Sequence, residues 1–130
     1  MTASPLTPET RRDKVGALPT FVQRAISSVR VHDKRIPVAV LRAKYKAAEP
    51  IVLQYIEQTQ AWIRDVDAEM VRRGADNVDH NDPQQCAEFL SRIDVGALER
   101  KNLREALVEV CRLELKRLRS AIAGRARDEH

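Results

Sequence analysis

The chain has 130 residues, 43% hydrophobic and 32% charged, with only 4 Gly and 6 Pro. That is short for two independent domains, too apolar for a disordered chain and too poor in glycine for a turn-rich β-sandwich. The net charge of +4 hides three blocks, with residues 1–48 at +7, residues 49–99 at −7 and residues 100–130 at +4. Such blocks can neutralise one another within or between chains, so a basic balance does not by itself imply nucleic acid.

Thr7-Pro8-Glu9 has the order of a helix start, but only Val15 and Leu18 follow as apolar anchors. Residues 1–18 are therefore expected to form a flexible arm or a weak helix, ahead of a helical domain over 19–124. Thr20 and Gln23 read as a capping box for a helix whose face is Phe21, Val22, Ala25, Ile26 and Val29, ending near His32.

From Pro37 to Arg73 one apolar stripe persists in steps of three or four: Val38, Leu41, Tyr45, Ala48, Val52, Ile56, Thr59, Ile63, Val66 and Met70. Pro50 interrupts the chain here, but it lies on the side away from the stripe, where water can replace the lost backbone bond. Glu49 is a poor N-cap, so the pattern predicts one Pro-kinked helix in preference to two separate ones. A straight helix of this length would span about 55 Å, against about 36 Å for a compact domain of this size. Either a bend or a partner is then expected. Ile51, Tyr55 and Trp62 widen the apolar face enough to need a second neighbour, and Tyr55 and Trp62 are expected at an interface.

Gly74 reads as the residue closing the long helix. Asp82-Pro83 with Gln85 starts the next helix, whose buried face should comprise Cys86, Phe89, Leu90 and Ile93. A last helix is expected from residue 97 or 102 to Ala123, stopped by Gly124, with 125–130 a frayed tail. Its apolar face is Leu103, Leu107, Val110, Cys111, Leu115, Leu118 and Ile122. No segment shows sustained period-two alternation. The predicted fold is all-α, a four- or five-helix bundle around the long central helix.

No apolar run reaches the 18 residues of a membrane span, the opening residues lack the apolar stretch of a secretory signal, and Cys86 and Cys111 are far apart. These features favour a reduced, cytoplasmic protein. Asn77, Asp79, Asn81 and Glu88 match four positions of a calcium loop, but Asp82 stands where that loop needs glycine. His32, His80 and His130 lack zinc spacing, and no metal or cofactor is expected. Cys86 with His80 upstream is an incomplete nucleophile site, better read as core packing. Without a phosphate loop, nucleophile elbow or positioned base, the sequence gives no catalytic residue and no small-molecule substrate, and an enzyme is not expected.

Two readings remain. The first is a helical interaction protein, an adaptor, regulator or inhibitor that binds another protein and forms a homodimer. Glu114 would set specificity in it, being a carboxylate amid Leu107, Val110, Leu118 and Ile122. The alternative is a nucleic-acid-associated protein without sequence preference. It would use Arg35, Arg42 and Lys46 near the start of the long helix, and Arg112, Lys116 and Arg119 on the last one. Neither register of residues 84–103 fits a helix-turn-helix, and 4% aromatics leaves little for base stacking.

Overall fold

Residues 14–129 are described by a computed structural model of the chain. Among them all regular structure is helical, and the architecture is the all-α bundle that the patterns predict. The elements are α1 (Thr20–Ser27), α2 (Val38–Arg72), a 3-10 turn (Ala75–Asn77), α3 (Pro83–Ser91) and α4 (Val95–Asp128). The arm expected over residues 1–18 falls largely on residues 1–13, outside the described part. No helix among the described residues is long and apolar enough to cross a membrane.

The helices gather into two units, one built from residues 1–57 and 106–130 and the other from residues 58–105. In the first unit, α4 runs back along α2. Glu129 near the end of α4 accepts a hydrogen bond from the Val38 amide at the start of α2, 3.3 Å, and Arg119 donates to the Tyr45 hydroxyl, 2.8 Å. Along this pairing runs a continuous core of Leu41, Ala48, Val52 and Ile56 from α2 and Leu107, Val108, Val110, Cys111, Leu115, Leu118 and Ile122 from α4. The amphipathic α1 closes it with Val22, Ala25 and Ile26.

Pro50 sits inside α2 on its exposed side, and the helix continues through it as a single element. The missing N–H faces water, where the loss costs least, while the stripe on the opposite side stays buried from Leu41 to Thr59.

Both ends of α1 and both ends of α4 differ from expectation. The last helix starts at Val95 and not at 97 or 102, because the Asp94 side chain accepts from the Ala97 amide, 3.2 Å, and opens the helix earlier. Thr20 is the first residue of α1 and makes no side-chain cap, because Pro19 precedes it and the helical residues 14–16, with the turn after them, present carbonyls instead. Gln23 donates to the Gly16 and Leu18 carbonyls, 3.2 and 2.6 Å, in place of the reciprocal cap. The helix also ends at Ser27 instead of near His32, and the segment up to Pro37 is a loop that buries Val29 and Val31.

The last correction is at the C-terminus. Instead of stopping at Gly124 and fraying, α4 continues to Asp128. Tertiary bonds hold these last turns: the Arg125 guanidinium donates to the carbonyls of Val31 and Asp33, each 3.3 Å, and of Ile36, 2.6 Å. The loop between α1 and α2 thereby has three of its acceptors satisfied by one side chain.

In the second unit, Gly74 closes α2 with φ 97°, a left-handed conformation that glycine adopts without penalty. Asp82 caps α3 by accepting from the amides of Gln84 and Gln85, 3.0 and 3.4 Å, with Pro83 in the first turn. Gln85 reaches further back than a capping box requires, its Oε1 accepting the Asp79 amide at 2.9 Å. Lys101 on α4 is bonded to Asp67 on α2, which raises the lysine pKa, and Arg104 stacks 4.1 Å over the Trp62 ring.

Arg125→Ala should lower stability by about 2 kcal/mol, the scale of losing charge-assisted hydrogen bonds to partly buried carbonyls. Arg125→Lys should restore only part of it, because an ammonium cannot reproduce the guanidinium fork. Urea unfolding midpoints of the three proteins read this out directly.

Candidate functional site

The residues singled out from sequence as an interface are all engaged by their own chain. Glu114 is 4% exposed, and its Oε2 accepts from Nε and Nη2 of Arg117 at 2.9 and 2.7 Å. It is buried within its own unit at the edge of a groove, and a carboxylate at that depth is tolerated because it is paired. Tyr55 is half-buried and meets Phe21 edge to face, with ring centroids 6.4 Å apart. Trp62 is half-buried beneath Arg104.

Glu114 and Arg117 border a groove of about 670 Å³ in the first unit, which also takes in Gln23, His32, Asp33 and Arg35. Asp33 is bonded to Arg35 through Nε and Nη2, at 3.0 and 3.1 Å, and lies 3.7 Å from Arg30. Its pKa is lowered, first by the Arg35 side-chain bond and then by the Arg35 amide. Arg35 thus belongs to this groove and is separate from the other basic residues proposed beside it.

Of the other basic residues, Arg42 and Arg119 come together. Arg42, Lys46, Glu49 and Leu53 recur at helical spacing on one flank of α2, and Arg112, Lys116, Arg119 and Ala123 recur with the same spacing on α4. Arg42, Tyr45, Arg119, Ile122 and Ala123 line a shallow concavity of about 340 Å³. The Tyr45 hydroxyl donates to Glu49 and accepts from Arg119. Burial raises the Tyr45 pKa, and the bond to Glu49 pushes it the same way, while Arg119 opposes both. Arg119 is also 3.9 Å from Glu49, and Arg112 is 4.0 Å from Glu109. Arg42, Lys46 and Lys116 are exposed and, among the described residues, form no ion pair.

In residues 58–105 the striking chemistry is replaced by a packing feature: Thr59 is the only buried residue of that unit among the described residues. Ile63, Val66 and Met70, the far end of the α2 stripe, are half-covered, as are Cys86, Phe89 and Ile93. Leu90 and Leu103, expected on buried faces, are 43% and 40% exposed, and Val71 and Val95 are 53% and 43% exposed. Helical spacing showed that these residues share a face, but it could not show whether anything lies against that face.

The Cys86 thiol is directed at the carbonyl oxygens of Asp79 and His80, 3.7 Å from each, so His80 meets it through its backbone. Cys111 is fully buried, and burial first, then the nearby Glu114 charge, pushes its pKa to about 11. No group of His, Cys, Asp and Glu among the described residues could hold a metal ion. Charge divides between the units: residues 58–105 carry 7 Lys/Arg against 10 Asp/Glu, and the remainder carries 16 against 9, giving −3 and +7.

Comparison with protein-family models, curated proteins and solved structures finds no match to this chain.

A thiol reagent at neutral pH should label Cys86 rapidly in the native protein and reach Cys111 only on unfolding. One fast and one slow thiol in a stopped assay is the expected result; two equally fast thiols would contradict the burial of Cys111. In a spectrophotometric titration, the ionisation lost in Tyr45→Phe should lie above the ordinary tyrosine value, because the fold retains the neutral phenol.

Proposed function

We propose that the chain is a non-catalytic helical interaction protein, a cytoplasmic adaptor, regulator or inhibitor, which docks on another protein and self-associates through residues 58–105. The observation that carries this reading is the uneven burial. The first unit completes its own core, whereas the second keeps Val71, Leu90, Val95 and Leu103 at least 40% exposed and has no fully buried apolar side chain among the described residues. Covering each of these four would contribute about 1 kcal/mol, roughly half of what full burial of such a side chain provides. Phe21, Val40, Ile51, Leu53 and Leu113 are exposed in the first unit as well, but beside a completed core. Partner binding is the usual reason for a unit to leave its apolar faces uncovered without such a core.

A homodimer is the simplest occupant, since a twofold axis lets each copy cover the 58–105 surface of the other. Cys86 and Cys111 are not bridged to each other, an arrangement compatible with a cytoplasmic setting.

The alternative, binding of nucleic acid without sequence preference, draws support from the convergence of Arg42 and Arg119 on one concavity. Against it, Arg119 is already committed to Tyr45 and Glu49, and Arg35 lies in a different groove.

Light scattering across micromolar concentrations should show a rise from 14.8 kDa towards twice that mass. Leu90→Asp, at an exposed position, should weaken association about tenfold while leaving helicity unchanged. A wild-type mass that stays at 14.8 kDa throughout refutes self-association.

A further inference from the structure

We infer that the basic groove between α2 and α4 is a carboxylate-binding seat for the acidic segment 76–88 of a second copy of this chain. The inference rests on the self-association reading above and names the surfaces involved. The groove has one cation on each wall, Arg42 on α2 and Arg119 on α4, the latter shared with Tyr45 and Glu49. Lys46 follows Arg42 by one turn on its flank of α2, and Lys116 precedes Arg119 by one turn on α4. Arg42, Lys46 and Lys116 are exposed and, among the described residues, have no ion-pair partner. Leu53 is 48% exposed and continues the α2 flank, adding an apolar contact beside the charges.

The complementary surface is in the same chain. Between Arg73 and Arg92 the sequence contains Asp76, Asp79, Asp82 and Glu88 and no Lys or Arg. Asp79 and Asp82 are used locally, accepting from the amides of Asn81 and of Gln84 and Gln85. Asp76 and Glu88 are exposed, with no ion pair among the described residues. This segment belongs to the unit that carries the half-covered apolar side chains, so charge pairing and apolar burial would be satisfied by the same encounter. In a twofold dimer each copy donates one acidic segment and one groove, giving two identical contacts.

A second copy fits better than nucleic acid. A concavity of about 340 Å³ suits one or two acidic side chains. A duplex needs a track of about six to ten phosphate contacts for strong salt-dependent binding. Two cations, Arg42 and Arg119, line this concavity, too few for such a track.

The test is a charge exchange on the full chain, read by sedimentation equilibrium. R42E/K46E reverses the groove, and D76K/E88K reverses the segment without touching the Asp82 cap. Each variant alone should associate about tenfold more weakly than the wild type, since like charges would face each other in both contacts. An equimolar mixture should regain wild-type affinity as a heterodimer, because each reversed surface then meets its opposite. Wild-type association should also weaken between 50 and 500 mM salt. Helix content and melting of each variant show that the fold is retained, and recovery in the mixture cannot be produced by misfolding.

Dimerisation unchanged by either reversal, yet weakened by Leu90→Asp, overturns the groove inference and leaves the self-association reading in place. Loss in both variants without recovery in the mixture also overturns it. A wild type that is monomeric throughout removes both. Tight binding of a 20-base-pair duplex at 150 mM salt, lost in R42E/K46E but not in D76K/E88K, assigns the groove to nucleic acid instead.

Discussion

The pairing of α2 with α4 in the first unit is the contact on which the rest of that unit depends. Eighteen apolar residues are buried in the described chain, and every one lies outside residues 58–105, so the hydrophobic stabilisation of the fold is concentrated in one place. Leu41, Val52, Val110, Cys111 and Leu118 are almost wholly removed from water, and α1 needs only its short amphipathic face to close the remaining side. Helices of 35 and 34 residues owe their persistence to this seam more than to local propensity. That is also why α2 tolerates Pro50 and α4 tolerates Gly124.

Polar groups are arranged to permit that burial. Glu114 is compensated by Arg117, and Arg125 satisfies three carbonyls of the loop between α1 and α2. No buried side-chain nitrogen or oxygen among the described residues lacks a hydrogen-bond partner. Asp33 pairs with Arg35 and Arg30 within the same loop, and its lowered pKa has a direct consequence. A carboxyl whose folded pKa is below its unfolded value contributes stability above that unfolded value, and the contribution is lost as pH falls through the folded pKa. Glu69, lowered by Arg73 and Arg72, acts in the same sense at the end of α2.

The second unit shows the opposite economy. Its helices are well capped and its ion pairs well formed, yet its apolar side chains remain half-covered. Local hydrogen bonding and capping define the elements there, while little buried area holds them together. A unit of that kind gains most from a partner surface, and its acidic character favours a basic one. The two proposals above share a physical origin in this division of apolar area and charge between the units.

Much of the fold was legible in the sequence because it is written in local periodicity. The spacing of Val38 to Met70 identified one helix through Pro50, the Asp82-Pro83 pair identified the start of α3, and Gly74 identified the end of α2, each from effects that act within a few residues. The candidate sites were less legible. Glu114 could be placed on an apolar face, but its coverage depended on what packed against that face. Arg42 and Arg119 are 77 positions apart in sequence, and only the antiparallel return of α4 brings them to one concavity. The extension of α4 past Gly124 depended on Arg125 finding carbonyls 89 to 94 residues away. The sequence by itself determined which residues share a helix face. Tertiary structure alone decided which faces are covered, because burial is a property of the neighbour as much as of the residue.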